Sequence, residues 1–372
     1  MNVIVNTASL YGVKSQPVTV EVDLLRRLPA VVVVGLPAST VRETADRVRS
    51  AVEYTGFEFP KRRVVVALNP ADAPRRGTHY DLAVAVGILA ASDQMQHASD
   101  TAYFGELSLS GELRAVRGLL PMLIGLPASV RKVVVPSVSN NEAAMAAKVR
   151  PDLEIRTARS LEEVINGQPK PAVEPEPAPK TGGVSIADLE SCSLQLPDLR
   201  RAFGAAAVRV MTSRNVLLVG RSGSGKTMLA ARLNLTRAEL KPFERVEIAS
   251  AMSAAGLMNA GIGRLDEIQR PFRAPHHSIS AAGMIGSSHN LIGEASLANH
   301  GILFLDELPM FGQSVIEVLG ACISNGEVVL RHSGATGRVP CRPIIVAACS
   351  EMNERTEQFM KTLCIETIVE VP

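Results

Sequence analysis

NVLLVGRSGSGKTMLAA, Asn215 to Ala231, decides how the second half of this chain folds. Asn215 to Val219 is a short apolar run of strand type, and Met228-Leu229-Ala230-Ala231 is helix-forming. Between them, Gly220-Arg221-Ser222-Gly223-Ser224-Gly225-Lys226-Thr227 has the composition and spacing of a phosphate-binding loop. The glycines let the backbone fold around phosphate oxygens, and its N–H groups and the helix N-terminus supply positive potential. Lys226 reaches the β- and γ-phosphates, and the Thr227 hydroxyl is offered to Mg²⁺. The loop predicts a nucleoside triphosphate ligand, ATP with Mg²⁺, held by residues 220 to 227. A Gly/Ser turn that happens to contain a lysine would need neither the strand before it nor the helix after it.

Cleavage of the nucleotide needs further groups, and Gly301-Ile302-Leu303-Phe304-Leu305-Asp306-Glu307-Leu308 offers them. An apolar strand ending in two carboxylates allows one acid to support Mg²⁺ and the next to activate water. Asp306 is the metal-side residue and Glu307 the base. A buried strand followed by a solvated acidic turn would look the same in isolation; the loop upstream favours the catalytic reading.

Outward from this motif the back half alternates strand and helix: Asn215–Val219, the helix after the loop, Gly301–Leu305, a helix through Ser314–Ser324, and Pro343–Ala348. That pattern predicts an α/β domain with a parallel sheet and crossover helices. It is preceded by GQPKPAVEPEPAPKTGG, Gly167 to Gly183, whose prolines suit an extended, semi-rigid linker. The expected organisation is therefore a front domain over 1–166, a Pro-rich linker over 167–183 and a nucleotide-binding domain over 184–372. In the front domain Val18–Val22, Ala30–Val34, Arg63–Leu68, Thr101–Leu109, Lys132–Val135 and Leu153–Arg156 read as strands. Thr40–Tyr54, Tyr80–Ala91 and Asn141–Lys148 read as helices, which together predict an α+β sheet layered with helices.

At 372 residues the chain can bury proper cores, and a formal charge of +2 does not by itself announce a nucleic-acid binder. Contact with DNA would rest on local clusters such as Lys61-Arg62-Arg63 or Arg75-Arg76, which otherwise read as solvated surface. Trp is absent and aromatics are scarce, which weakens base stacking. Cys192, Cys322, Cys341, Cys349 and Cys364 form no C-x-x-C pair and no metal-ligand spacing, as expected for reduced thiols. The N-terminus lacks the pattern of a secretion signal, and no run reaches the roughly 18 to 20 apolar residues of a membrane span. A cytoplasmic protein with no membrane partner is expected. His276-His277 has no third ligand placed nearby, so support of the nucleotide site or the fold is favoured over metal binding.

Longer stretches carry a family resemblance. RPFRAPHHSIS (Arg270–Ser280), GEASLANHGILFLDEL (Gly293–Leu308) and the GKTMLA loop resemble the Mg-chelatase-like AAA+ ATPases of the YifB/ComM type. GLPASTVRETADRVRSAVEYTGFEFP (Gly35–Pro60), LNPADAPRRGTHYDLAVAVGILAAS (Leu68–Ser92) and GELSLSGELRAVRG (Gly105–Gly118) resemble the front domain of the same proteins. The resemblance implies a ribosomal-S5-domain-2-like, Lon-protease-like front fold joined to a P-loop AAA+ core. It implies an ATP-driven homo-oligomer, a hexameric ring, that performs branch migration on DNA during recombination of incoming DNA. Proteolysis is not implied: where the Lon pattern has its nucleophilic serine this chain has Pro74-Arg75, and the paired lysine falls near Leu120-Pro121-Met122.

The resemblance weakens after Glu307. The strand at Pro343–Ala348 leads into Cys349-Ser350-Glu351, so Ser350 takes the place of the polar sensor residue, usually Asn. A hydroxyl still bonds water or phosphate, with shorter reach. In KTLCIETIVEVP (Lys361–Pro372) the arginine that would serve a neighbour's nucleotide falls on Cys364; such an arginine is worth about 10³ to 10⁵ in rate. Leu319–Ser324 loses an Arg and a Glu of the family pattern, and the Gly-Gln element near the base becomes Ser191-Cys192. The family's helical lid would begin where this sequence ends. Two readings stand on this basis: a DNA-working ATPase, and a structural or regulatory nucleotide-binding paralogue, or truncated product, with weak or no hydrolysis.

Overall fold

The computed structural model describes residues 2–34, 38–70, 78–175, 197–212, 214–258, 262–287, 291–332 and 335–372. Arg75-Arg76, Pro74, Ser191, Cys192 and the later part of the Pro-rich run fall outside them. The chain divides into two units. The front unit comprises Met1–Glu176 with Ser253–Arg264 and Arg331–Thr336, and the back unit comprises Pro177–Met252, Leu265–Leu330 and Gly337–Pro372.

The front unit is built on an eight-stranded mixed sheet. Its strands are β1 (Val3–Tyr11), β2 (Lys14–Leu25), β3 (Ala30–Val34), β4 (Arg63–Asn69), β5 (Thr101–Tyr103), β6 (Lys132–Pro136), β7 (Glu154–Ala158) and β8 (Lys170–Pro171), in the order β8-β7-β6-β5-β1-β2-β4-β3. Alternation places Val18, Val20 and Val22 of β2 with Val64, Val66 and Leu68 of β4 on one buried face. The helix Asp81–Ala91 is apolar nearly all round, and all but one of its residues are buried. These are the α+β layers that the pattern predicts.

Two departures concern chain connectivity. The start of the Pro-rich run is the edge strand β8, paired antiparallel with β7, where Pro171 is tolerated. Asn140 brackets Val173, donating to its carbonyl at 2.7 Å and accepting its N–H at 3.0 Å, and Glu174 pairs with Lys148 at 2.6 Å. In addition, residues 253–258 and 262–264, which the sequence reading assigns to the nucleotide domain, group with the front unit. The half-buried Glu142 carboxylate accepts from the Ser253 hydroxyl and from the Leu120 N–H, Arg117 donates to the Ala254 carbonyl at 2.8 Å, and Arg264 reaches Glu174 at 3.2 Å.

The back unit holds a five-stranded sheet of β9 (Val216–Val219), β10 (Phe272–Arg273), β11 (Ile302–Leu305), β12 (Ile344–Cys349) and β13 (Thr367–Glu370), ordered β10-β11-β12-β9-β13. Every pairing is parallel. β11 and β12 are buried throughout, as their unbroken apolar runs require. Ala202, Ala206 and Val210 of the helix Pro197–Met211 and Leu229, Ala230 and Leu233 of the helix Lys226–Leu233 pack with Val216, Leu218, Phe304 and Val346. The order reverses at β9, whose neighbours are the fourth and fifth strands of the unit. In open parallel sheets, that reversal opens a crevice beyond the carboxyl ends of the strands. Among the described residues, no helix is long and apolar enough to cross a membrane.

Candidate nucleotide site

The turn from β9 into the helix Lys226–Leu233 has left-handed backbone at Gly223 (φ 82°) and Gly225 (φ 89°), a conformation that costs glycine little. Gly225 caps the helix, so first-turn N–H groups face the loop with no carbonyl of a preceding turn to receive them. Lys226 is 6% exposed, and its ammonium donates to the carbonyls of Gly220 at 2.7 Å and Arg221 at 2.9 Å. The Ser224 hydroxyl is buried with no hydrogen-bond partner among the described residues. A cation held only by carbonyls, an unsatisfied hydroxyl and a helix N-terminus together form a cradle that suits phosphate oxygens.

Parallel register aligns the strand ends that supply the remaining groups, with Val219 opposite Cys349 and Leu305 opposite Ala347. Thr227 Oγ1 consequently lies 3.4 Å from Asp306 Oδ2. These two oxygens suit Mg²⁺, which usually takes one or two protein ligands and completes its shell with water and phosphate. Glu307 occupies left-handed backbone (φ 52°, ψ 57°), rare for a residue with a side chain, and its N–H donates to Asp306 Oδ1 at 3.1 Å. Ser350 Oγ lies 3.2 Å from one Glu307 carboxylate oxygen. Burial, with the Glu307 charge adding to it, raises the pKa of the adjacent Cys349 thiol, so that side chain stays neutral.

A cleft of about 590 Å³ opens at the first residues of the loop, lined by Arg201, Val219, Gly220, Arg221, Ser350 and Glu370 among others. Of the residues expected from sequence, Gly220, Arg221 and Ser350 border it. Thr227, Asp306 and Glu307 form a second group joined to it through Ser350. Ser222 and Gly223 are exposed at the loop tip. Arg201 and Glu370 were not legible: neither belongs to a motif, and only the pairing of β13 with β9 brings Glu370 near the loop.

The histidines have protein partners. His276 Nδ1 is 2.7 Å from the Ser278 hydroxyl, and His277 meets Phe311 edge to face. The stretches Arg270–Ser280 and Gly293–Leu308 of the back unit are joined directly: Arg273 forms a bidentate pair with Glu294 at 2.6 and 2.7 Å, and Arg270 donates to the His300 carbonyl at 2.6 Å. His300 and Asn299 both bond Glu247, at 2.7 and 3.0 Å, at the amino end of β11, away from the loop. Cys364 is exposed. It follows Leu363, whose carbonyl accepts from Asn215 beside the amino end of β9, so this position takes no part in the site of its own chain.

Comparison with known proteins gives matches to both halves. The family model described as subunit ChlI of Mg-chelatase matches residues 20–139, and that described as magnesium chelatase, subunit ChlI, matches residues 196–368. The chain is 37% identical over 355 residues to the competence protein ComM of Haemophilus influenzae, covering 93% of this chain and 68% of ComM. It is 36% identical over 350 residues to YifB of Salmonella typhimurium, covering 93% and 67%. A fainter similarity, 23% over 137 residues, relates 36% of this chain to 14% of an archaeal Lon protease of Pyrococcus abyssi.

Proposed function

The chain belongs to the YifB/ComM-type family of Mg-chelatase-like proteins, and we propose that it binds Mg-ATP on Gly220–Thr227 and hydrolyses it. The observation that carries this reading is the convergence of Thr227, Asp306, Glu307 and Ser350 at the carboxyl ends of β9, β11 and β12. Loop N–H groups and Lys226 hold the phosphates, and Lys226 exchanges its two carbonyl partners for phosphate oxygens. Thr227 and Asp306 hold Mg²⁺, which when bound neutralises charge on the β- and γ-phosphates. Glu307 accepts a hydrogen bond from the attacking water and orients it, while Ser350 steadies Glu307.

The same reading extends to a homo-oligomeric, ring-forming AAA+ motor in the cytoplasm that moves branched DNA in recombination, with a Lon-like front fold. The family resemblance and the name of ComM as a competence protein support it. A second reading, a nucleotide-binding structural or regulatory paralogue, is favoured by the exposed thiol of Cys364 where the family pattern has an arginine.

Single-turnover ATP hydrolysis by the purified chain separates the two, with Glu307→Gln as the control. Glu307-dependent hydrolysis at protein concentrations that allow assembly supports the ATPase. Tight ATP binding with no such hydrolysis overturns it in favour of the second reading.

A further inference from the structure

The order β2-β4-β3 gathers cations that the sequence keeps apart. β4 lies between β2 and β3, and Arg63 at its start is opposite Leu25, the last residue of β2, and Ala30, the first of β3. The connection from β2 to β3 therefore arches over the start of β4 and spans two interstrand distances, roughly 10 Å. It carries Arg26 and Arg27, both exposed, with the Arg27 N–H turned back onto the Leu25 carbonyl at 2.8 Å. Beneath it are Lys61 and Arg62, also exposed, and the half-buried Arg63.

Five positive side chains thus share one end of the sheet, and none has an acidic partner among the described residues. Several cations elsewhere in the unit are paired, Lys132 and Arg156 with Glu154, Arg150 with Asp152, and Lys148 with Glu174, and those without an ion pair among the described residues, such as Lys14, Arg131 and Arg159, are scattered along the sequence. Asp23, opposite Val65, is the acid nearest this end on the face of Arg63, and one carboxylate leaves the five cations in excess, a positive potential that favours a polyanion. The large apolar side chain at the tip is Leu28, 88% exposed, and the arch contains no aromatic ring to stack on a base.

We propose that this sheet end, formed by Arg26, Arg27, Lys61, Arg62 and Arg63, is a docking surface for the phosphodiester backbone of duplex nucleic acid, read without regard to sequence. Duplex DNA carries about one charge per 1.7 Å of axis, dense enough to meet all five cations, and such contacts fix position while carrying no base information. The inference rests on the reading of the chain as a DNA-working protein and assigns that contact to a surface remote in sequence from the phosphate loop.

The test uses the full chain and a short mixed-sequence DNA duplex, with affinity measured across a salt series. The variant replaces the four exposed cations together: Arg26→Ser, Arg27→Ser, Lys61→Ser and Arg62→Ser. The control is Lys132→Ser with Arg156→Ser, and binding of a fluorescent ATP analogue reports that each protein is folded. The expected result is an affinity loss of at least about tenfold at low salt for the fourfold variant. Its log–log salt slope becomes shallower by about 3.6, at about 0.9 per lost phosphate contact, while the control keeps the parent slope. If the parent binds duplex and the fourfold variant keeps its slope, the surface assignment is overturned and DNA binding itself stands. If the parent shows no salt-dependent binding to duplex, the surface and the DNA part of the proposed function fall together, whatever the result with ATP. If the variant loses binding to phosphatidylserine vesicles and keeps binding to duplex, the patch is a membrane surface and the proposal fails.

Discussion

The hydroxyl of Ser350 sits 3.2 Å and 3.4 Å from the two carboxylate oxygens of Glu307, so Ser350 bonds directly to the carboxylate proposed as the base. Glu307 is held from two sides, by this contact and by a left-handed backbone whose N–H donates to Asp306. Ser350 is on this geometry a positioning residue. Ser350→Ala is expected to lower the single-turnover hydrolysis rate about tenfold, the worth of one hydrogen bond to a charged group, and to leave ATP affinity unchanged. Ser350→Thr, which keeps the hydroxyl, restores the rate. A loss of ATP affinity equal to the loss of rate would instead place Ser350 on the nucleotide.

Gly220 is required for a steric reason distinct from that at Gly223. A Cβ at position 220 would run into the carbonyl of Val371, whose own N–H donates to Val219 at 2.7 Å, whereas at position 223 it would meet open space. Gly220→Ala must push the tail of β13 away from β9, an overpacking cost of about 1–3 kcal/mol. Gly223→Ala faces only its φ of 82°, at about 1 kcal/mol. In urea denaturation of the full chain, the Gly220 variant is expected to show the larger drop in midpoint. Equal drops would show that β13 yields freely.

The strand–turn–helix at Val216–Leu233 and the strand before Asp306 are legible because each is a local pattern: an apolar run, a fixed spacing of glycines, a helix start. β1 was not recognised as a strand. Thr7 and Ser9 are buried on it although polar, so its alternation carries no hydrophobic signal. β8 was hidden inside a Pro-rich run that composition marks as a linker, because an edge strand tolerates proline where an inner strand does not. Continuity in sequence places residues 253–258 and 262–264 with the back domain, whereas their contacts to Glu142, Arg117 and Glu174, which join positions far apart in sequence, group them with the front unit. The Ser350–Glu307 contact and the placing of Leu25 and Ala30 on either side of Arg63 likewise depend on strand order and register, which no local periodicity encodes.

A histidine of the front unit makes its stability depend on pH. His79 is buried, its Nε2 is 3.0 Å from the Ala8 carbonyl, and burial pushes its pKa down to about 4, the hydrogen bond opposing only in part. The folded chain thus keeps this imidazole neutral while the unfolded chain takes up a proton near pH 6.5. Unfolded molecules bind more protons between those values, so the contribution is fully present above pH 6.5 and is lost as pH falls towards 4. The loss amounts to about 3 kcal/mol over that window. His79→Gln keeps a donor near Ala8 and removes the titration. Unfolding free energies measured at several pH values between 4 and 7 should slope less steeply for the variant. Parallel curves would show that the imidazole is protonated without cost in the fold.

Cys364 separates the two functional readings by gain rather than loss. It is exposed, its backbone is left-handed at φ 52°, and it lies by the amino end of the sheet, opposite the end that carries the phosphate loop. A side chain there can serve nucleotide only on a neighbouring copy, and a thiol supplies no positive charge to the transferring phosphoryl group. An arginine acting in trans is worth about 10³ to 10⁵ in rate where it is fully placed. Cys364→Arg is expected to raise the turnover number at least about tenfold, with the gain growing as protein concentration rises and subunits associate. Cys364→Lys, which adds charge without the planar fork of donors, is expected to recover less. The exposed site accommodates either substitution without repacking a core. A concentration-independent rate, equal in all three proteins, would show that position 364 does not approach a neighbour's nucleotide, and would favour the nucleotide-binding paralogue over the ring-forming ATPase.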